Sequence, residues 1–273
     1  MSWFYLSLAA VLLLFCIILL FFYRNEKEKS QSRIKTLKHQ LTNNIAHEIR
    51  TPVASIRAYL ETILEMPQLD EEHKNAFIQK AYEQSLRLSN LISDISLITK
   101  MEQAHAGLDK ELVSVHKIVE DIKLELNDKI RELGVTVRDD IPEDLSLKVN
   151  AALFYAIFRN LMENSLRYAG RDFQIEINCT LNSRSCQFRY FDTGKGLEEK
   201  DLDRIFERFY RVKGQKNSEG SGLGLSIVKN AVEFHGGKIK VKLHKPQGLE
   251  YNFEIYNSGI FSTSSSQDGR VLT

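Results

Sequence analysis

Hydrophobic and polar positions divide the chain into regions of different periodicity, and the first of these regions is uniformly apolar. From Trp3 to Tyr23 only Ser7 is polar and no residue is charged. About 20 apolar residues at a rise of 1.5 Å per residue cross a hydrocarbon core of roughly 30 Å. Aromatic residues flank the run on both sides, as is typical of membrane interfaces. The pattern predicts a transmembrane helix over residues 3–23. A signal peptide is disfavoured because a basic leader, a shorter apolar stretch and a small-residue cleavage site are missing.

Charge on the two sides of this run predicts its orientation. No basic residue precedes it, and the basic residues that follow are Arg24, Lys27, Lys29, Arg33, Lys35 and Lys38. Because positive charge accumulates on the cytoplasmic side of a span, the C-terminal body is expected in the cytoplasm. The expected localisation is single-pass in the inner (cytoplasmic) membrane, with residues 24–40 as a juxtamembrane linker.

Residues 41–102 change to a helical period. Apolar residues recur at spacings of three and four in two stretches that Pro67 separates. The first stripe is Ile45, Ile49, Val53, Ile56, Leu60, Ile63 and Leu64; the second is Phe77, Ala81, Leu88, Leu91, Ile92, Ile95 and Ile98. Neither helix buries its stripe alone. An antiparallel hairpin that dimerises into a four-helix bundle buries both, so a homodimer is expected.

The first of these helices carries candidate chemistry on its polar side. His47 lies about 200° around the helix from Ile45, and Thr51 shares its side one turn later. An exposed histidine beside a carboxylate, here Glu48, is suited to act as a nucleophile. The alternative is an ordinary solvated histidine, and for an isolated histidine that alternative is favoured.

Beyond a linker near Gln103–Glu111, helical and alternating segments follow one another. Helices are expected at Val115–Leu133, Ala151–Tyr168 and Ser226–Phe234. Strands are expected on both sides of an Ile141-Pro142 turn, in a hairpin around Asn182-Ser183, and in two closing segments at residues 239–243 and 251–255. Mixed strands with helices on one face predict an α/β sandwich over residues 111–257. The polar, serine-rich tail, residues 258–273, is predicted to be disordered.

Two polar motifs of this sandwich carry candidate chemistry, one within a helix and one after a strand. Asn160 and Asn164 share one helical face, where amide oxygens suit a hydrated Mg²⁺; without context, solvent-facing amides are the favoured alternative. Asp192-Thr193-Gly194-Lys195-Gly196 follows a strand, and its glycines allow a flat ligand to approach the backbone while the carboxylate accepts a hydrogen bond from an exocyclic amine. A strand-end turn is the alternative for this motif.

Two further motifs precede the helix at Ser226–Phe234. Phe206 and Phe209 are three apart and are suited either to the core or to anchoring a mobile loop. Gly220, Gly222 and Gly224 alternate before the helix, where exposed amides and the helix dipole favour phosphate. A flexible linker is the alternative, although the interleaved leucines disfavour it. Cations suited to a triphosphate lie between the two motifs: Arg208, Arg211, Lys213 and Lys216.

Composition narrows the function classes. The net charge is +1, with 37 basic and 36 acidic residues, which disfavours nucleic-acid binding. Three cysteines, Cys16, Cys179 and Cys186, lack metal-ligand spacing and are expected to be reduced thiols.

The order of these motifs resembles that of sensor histidine kinases of two-component systems. His47-Glu48-Ile49-Arg50-Thr51-Pro52 is similar to their H-box, and the N-box, G1 box, F-box and G2 box follow in the family order from Asn160 to Gly224. The resemblance extends over Leu41 to Ile255. It implies an α + α/β architecture, in which a phosphoacceptor hairpin precedes a Bergerat-type ATP-binding sandwich. It also implies ATP and Mg²⁺ as cofactors and a response regulator receiver domain as partner.

The same resemblance implies roles for individual residues. His47 is the implied phosphoacceptor, Glu48 its acid–base partner and Thr51 a water-positioning residue in dephosphorylation. Asn164 is the implied Mg²⁺ ligand. The remaining implied nucleotide contacts are Asn160, Arg167, Tyr168, Asp192, Gly194, Gly196, Phe206, Phe209, Gly220, Gly222 and Gly224.

The sequence departs mildly from the family pattern. Ser165 stands where alanine is usual, Leu197 where isoleucine is common, and Asn150 where an acidic residue is frequent. The expected activity is ATP-dependent autophosphorylation of His47 and transfer to an aspartate of the regulator, together with phosphatase activity. The alternatives left open are an ATP-binding scaffold or phosphatase without autokinase activity, and an ATPase of the chaperone or mismatch-repair type.

Overall fold

A computed structural model of the chain describes residue 24 and residues 42–102, 108–212, 220–256 and 260–261. The chain divides into two compact units, Met1–Ser85 and Leu86–Thr273. Within the described ranges, no helix combines the length and the apolar character that crossing a membrane requires. The span predicted over residues 3–23 lies outside those ranges.

Two helices form the hairpin. Helix α1 runs through residues 42–65 and continues past Pro52, and α2 is Glu71–Glu102. Asp70 caps α2, because its Oδ1 accepts the His73 amide at 2.9 Å. In the first unit the rings of Tyr59 and Phe77 lie 5.9 Å apart, which joins α1 to α2. The predicted helical hairpin is confirmed.

The second unit is built on a five-stranded sheet in the order β2-β4-β5-β7-β6. In chain order the strands are β2 Thr136–Asp140, β4 Gln174–Leu181, β5 Ser185–Asp192, β6 Ile239–Leu243 and β7 Leu249–Tyr256. The pair β2–β4 is parallel and the other pairs are antiparallel. A smaller antiparallel sheet has the order β1-β3-β8, formed by β1 Glu111–Ser114, β3 Ser146–Val149 and β8 Ile260–Phe261.

Helices cover one face of the larger sheet. The helices of this unit are α3 Val115–Glu125, α4 Asn127–Glu132, α5 Ala151–Tyr168, α6 Glu199–Leu202 and α7 Gly224–Phe234, of which α3, α5 and α7 supply the buried residues of the core. Alternate residues of β5 and β7 join the core formed with α3, α5 and α7. At its centre the Phe158 ring of α5 meets Phe188 of β5 edge to face, at a centroid distance of 5.4 Å. The predicted α/β sandwich is confirmed.

Three local predictions need correction. The strands expected on both sides of Ile141-Pro142 belong to different sheets, because β2 pairs with β4 whereas β3 pairs with β1. The helix expected over Val115–Leu133 is interrupted at Leu126 and forms α3 and α4. Within the tail predicted to be disordered, Ile260–Phe261 form β8, which pairs with β3; the rest of the tail lies outside the described residues.

A buried histidine connects α7 to the start of α5. His235 is 1% exposed, and its Nδ1 lies 2.7 Å from the Ala231 carbonyl. Its Nε2 accepts the Asn150 amide at 3.1 Å, while the Asn150 side chain caps α5 by accepting the Leu153 amide and donates to the Asp109 carbonyl. Because an aspartate could not make the last of these bonds, asparagine suits this position. Burial lowers the pKa of His235 to about 4.

Unfolding stability is therefore expected to depend on pH through His235. Since the folded-state pKa lies below the unfolded value of about 6.5, the contribution is complete above pH 6.5 and is lost as the pH falls towards 4. A shift of this size corresponds to about 3 kcal/mol. Denaturant titrations between pH 7.5 and 4.5 should show this loss in the wild type and a weaker pH dependence in His235→Gln. The exposed-histidine variant His73→Gln should keep the wild-type profile, and a flat wild-type profile contradicts the assignment.

Candidate nucleotide site

Helix α5 presents the two asparagines of the site. Asn160 is buried and donates through Nδ2 to the Ala156 carbonyl at 2.8 Å. Asn164, one turn later, donates through Nδ2 to the Tyr251 hydroxyl of β7 at 3.3 Å. Because each amide nitrogen is occupied, each side chain keeps its carbonyl oxygen as an acceptor. These oxygens fit the ligand preference of Mg²⁺.

Asp192 ends β5 as a buried carboxylate that is 2% exposed. The Ser165 hydroxyl donates to its Oδ2 at 2.8 Å, and the Gly194 amide donates to its Oδ1 at 3.0 Å. Burial raises the pKa of Asp192, against the opposing effect of these hydrogen bonds and of His244. The arrangement provides a fixed, water-poor hydrogen-bond acceptor, as recognition of an exocyclic amine requires.

The glycines after Asp192 allow three segments to meet closely. A Cβ on Gly194 would overlap Ala169 at the end of α5, and the Lys195 amide donates to the Ala169 carbonyl at 2.9 Å. Gly196 has a φ of +69° and approaches the backbone of Gly248 in the β6–β7 turn. The turn after Asp192 thus contacts both the end of α5, at Ala169, and the β6–β7 turn, at Gly248.

The two phenylalanines anchor the segment before α7. Phe206 packs edge to face against Tyr251 at a centroid distance of 6.4 Å. Phe209 has a φ of +62°, and its amide donates to the Gly222 carbonyl at 2.9 Å. The hydrogen bond joins the two ends of the segment whose middle, residues 213–219, lies outside the described ranges together with Lys213 and Lys216.

Each of the three alternating glycines lies against a different part of the site. A Cβ on Gly220 would lie 2.7 Å from the Tyr168 hydroxyl and 3.1 Å from Arg167 Nη1. One on Gly222 would lie 2.8 Å from the Phe209 backbone, and one on Gly224 would lie 2.6 Å from Asn160 Oδ1. Side chains at these positions would displace site residues, so a flexible-linker interpretation is wrong for these glycines.

All the nucleotide residues predicted from the sequence therefore lie in the second unit, where the contacts above place each of them beside another element or segment of that unit. The phosphoacceptor candidates lie in the first unit, on α1, where His47 is exposed as predicted and Glu48 is partly buried. The Thr51 hydroxyl donates to the His47 carbonyl at 3.3 Å. Among the described residues, no hydrogen bond joins Glu48 to the His47 ring.

Sequence reasoning did not identify Tyr190, Tyr251 and Gly248 as parts of the site. Both tyrosines are fully buried on the helix-facing side of the sheet. Strand alternation predicts that both tyrosines point into the core, and a buried tyrosine hydroxyl needs a polar partner. This combination is the signal by which the sequence could have indicated them. Gly248, with a φ of +121°, lies against the Asp192 carbonyl, a long-range contact that the sequence does not reveal.

The fold and the site define a nucleotide-binding ATPase domain that follows a helical hairpin. Residues 149–258 match the family described as histidine kinase-, DNA gyrase B-, and HSP90-like ATPase, which implies ATP binding. Residues 37–104 match the His Kinase A (phospho-acceptor) domain. The chain therefore contains a phospho-acceptor domain followed by an ATPase domain, the order that its motifs predict, and resembles sensor histidine kinases in this respect.

Relatives agree with this assignment. The chain is similar to the sensor protein KdpD of Clostridium acetobutylicum, with 31% identity across 84% of this chain and 26% of that protein. It is also similar to the sensor histidine kinase RppB of Synechocystis sp., with 29% identity across 80% of this chain and 49% of that protein. The chain thus spans between about a quarter and a half of the length of these curated relatives.

Solved structures share the fold. The Acinetobacter baumannii histidine kinase AdeS aligns with a TM-score of 0.63 and 20% identity, over 78% of this chain and 98% of that one. Histidine kinase ThkA, solved in complex with the response regulator protein TrrA, aligns with a TM-score of 0.60 and 21% identity, over 86% of this chain and 66% of that one.

Proposed function

We propose that this chain is a sensor histidine kinase that transfers the γ-phosphoryl group of ATP to His47 and then to an aspartate of a response regulator. The observation that carries the proposal is the presence of an exposed histidine in a phospho-acceptor domain and of an ATPase domain in one chain. The complex of ThkA with TrrA supports a receiver domain as the partner. Phosphatase activity towards that partner, with Thr51 positioning water, belongs to the same proposal.

Recognition of adenine is assigned to Asp192. The carboxylate accepts the exocyclic amine in a buried site, where a missing hydrogen bond costs more than it does in water. Gly194 and Gly196 have no side chains that would keep the base from the backbone. Tyr168 lies beside Gly220 of the lid, the segment of residues 206–224 that leads into α7. These contacts select the base, whereas Arg167 and the lid amides are placed to neutralise phosphate charge.

Asn164 is the proposed Mg²⁺ ligand, with Asn160 beside it. Mg²⁺ bound at these amide oxygens supplies charge neutralisation to the triphosphate. The bond from Asn164 Nδ2 to the Tyr251 hydroxyl fixes the amide so that its oxygen is the group presented. Phe206 and Phe209 hold the lid, and Gly222 and Gly224 let it lie against Phe209 and Asn160.

Removing the Tyr251 hydroxyl tests this orientation. Tyr251→Phe keeps the ring that packs on Phe206 and leaves Asn164 free to rotate. Because groups that orient a metal ligand typically affect affinity by 10–100-fold, we expect ATP affinity in Mg²⁺ to fall about 10-fold. Affinity measured in EDTA should be unchanged. The matched control Tyr256→Phe, at the exposed end of β7, should bind as the wild type; equal losses with and without Mg²⁺ in Tyr251→Phe contradict the role.

In the proposed reaction, a ring nitrogen of neutral His47 attacks the γ-phosphorus in line. The bond between the γ-phosphorus and the bridging oxygen breaks, ADP leaves, and Glu48 accepts the imidazole proton. The loose transition state requires little covalent assistance, so positioning and charge neutralisation supply most of the rate. A carboxylate oxygen of the receiver aspartate then attacks the phosphorus, the phosphorus–nitrogen bond breaks, and Glu48 returns the proton to the His47 imidazole.

A homodimer is proposed from the apolar surface of the hairpin. Large apolar side chains on α1, the turn and early α2 are 46–79% exposed in the single chain, namely Val53, Leu60, Leu64, Met66 and Ile78. A second hairpin covers such a face in a four-helix bundle. The match to the phospho-acceptor domain agrees with dimerisation.

The membrane assignment is proposed from the sequence alone. Residues 3–23 form the proposed single span, residues 24–40 the linker, residues 41–102 the dimerisation and phosphotransfer domain, and residues 111–257 the catalytic domain. The basic flank after the span supports a cytoplasmic body at the inner membrane.

The test of the proposed function is phosphorylation of the purified full chain with ATP labelled at the γ-phosphorus. Incorporation of acid-labile, base-stable label, followed by transfer to a receiver domain, supports the kinase. Nucleotide binding without labelling over a time course, in the presence of Mg²⁺, favours the scaffold or phosphatase without autokinase activity.

A further inference from the structure

A chain of buried hydroxyl groups leads to the Asp192 carboxylate. The Tyr190 hydroxyl donates to Ser165 Oγ at 3.0 Å, with the Leu161 carbonyl at 3.2 Å as its other acceptor. The Ser165 hydroxyl donates in turn to Asp192 Oδ2 at 2.8 Å. Tyr190 is fully buried, Ser165 is 1% exposed and Asp192 is 2% exposed. Because solvent does not reach these three groups, water does not replace a hydroxyl that a substitution removes.

The hydroxyl of Ser165 differs in kind from the other donors around Asp192. Gly194 supplies a backbone amide to Oδ1 and Leu249 supplies another to the carboxylate, and backbone amides are present whatever the residue type. The donor at Oδ2 depends on the side chain at position 165, and alanine there would remove it. Loss of the Ser165 hydroxyl therefore leaves the carboxylate held by backbone amides, without the donor that Oδ2 receives from α5.

Serine at this position also compensates for burial. Burial raises the pKa of Asp192. The hydrogen bond from Ser165 is the largest of the interactions that lower this pKa. Tyr190 retains the Leu161 carbonyl as an acceptor if Ser165 is shortened, so loss of the serine hydroxyl deprives only Asp192 of a partner.

We propose that Ser165 is a positioning residue that orients Asp192 towards the 6-amino group of adenine and thereby sets the preference of the site for 6-aminopurine nucleotides. The inference rests on the proposed function of the nucleotide site. It assigns base selectivity to a residue of α5 that acts through Asp192 without touching the nucleotide.

The test compares ATP with purine riboside 5′-triphosphate, which lacks the 6-amino group, by titration of the full-length chain. Ser165→Ala should weaken ATP binding about 10-fold, because a hydrogen bond to a charged group is involved. Binding of the analogue should change less than about 2-fold, since the analogue makes no bond to be misaligned. A purely structural role for Ser165 would weaken both ligands equally.

Ser185→Ala is the matched control. Ser185 is also a buried serine whose hydroxyl donates to a carboxylate, Glu254 Oε1 at 2.5 Å, but it lies at the opposite end of β5 from Asp192. This variant should keep the wild-type ratio of the two affinities. A Ser185→Ala ratio shifted as far as that of Ser165→Ala overturns the proposal.

The outcomes separate this proposal from the one it rests on. A wild type that binds both nucleotides equally contradicts the assignment of adenine recognition to Asp192. A wild type that prefers ATP, with the full preference kept in Ser165→Ala, overturns the role of Ser165 alone. If Ser165→Ala fails to fold, Ser165→Cys, with similar size and a weaker donor, decides: an intermediate ratio supports the proposal and an unchanged one overturns it.

Discussion

Replacing His47 with glutamine is expected to abolish phosphorylation of the chain by ATP. Glutamine preserves helical propensity and polarity at an exposed position of α1 but offers no nucleophilic ring nitrogen. Label should fall below about 1% of the wild-type level, because no other group completes the reaction. The measurement is incorporation from γ-labelled ATP, with the linkage identified by its acid lability.

Nucleotide binding should be unaffected in the same variant, because His47 and the nucleotide residues belong to separate compact units. The control is His73→Gln, which removes the other described histidine of the hairpin; its imidazole is exposed and pairs with Asp70 at 2.8 Å. His73→Gln should be labelled as the wild type. Wild-type labelling of His47→Gln would remove His47 from its proposed role.

The hairpin and the main helices were predictable because local sequence determines them. Helix α5 begins and ends where its amphipathic pattern predicts, since Asn150 caps it and its apolar face is continuous. The hairpin of β4 and β5 was equally visible, because alternation on both sides of a short turn is a local signal. Exposure of His47 followed from its angle to Ile45 on one helix.

Pairing between distant strands was not predictable. Residues 135–149 contain two alternating segments, and alternation alone does not reveal that one pairs with β4 and the other with β1. The interruption at Leu126 has no helix-breaking residue, since neither proline nor glycine lies near it. Hydrogen bonds of helical spacing still reach Leu126 from both sides, from its own amide to Ile122 and from the Ile130 amide to its carbonyl, so the interruption is confined to one residue.

The nucleotide site shows the same division between local and distant information. Motif spacing indicated Asn160, Asn164 and Asp192, because each belongs to a short local pattern. Their partners Ser165, Tyr190 and Tyr251 come from three elements, and only the assembled sheet brings their hydroxyl groups together. The sequence therefore identified candidate ligand-binding groups, whereas the residues that orient them required the structure.

Substitution of Asp192 by asparagine is expected to weaken ATP binding by about 100-fold or more. An asparagine has one acceptor oxygen, but the donors at this position are the Ser165 hydroxyl, the Gly194 and Leu249 amides and, in the proposed complex, the adenine amine. The side-chain NH₂ must then face at least one of these donors in a site that water does not reach.

Asp203→Asn supplies the matched control, because Asp203 is an exposed aspartate that directly follows α6. This variant should bind ATP with the affinity of the wild type. Titration with ATP and with purine riboside 5′-triphosphate separates two contributions to the loss. The adenine bond affects ATP alone, whereas the clash with Ser165 and Gly194 affects both nucleotides. We therefore expect a larger loss for ATP than for the analogue. ATP affinity within about 3-fold of the wild type in Asp192→Asn is incompatible with a buried carboxylate that reads the base.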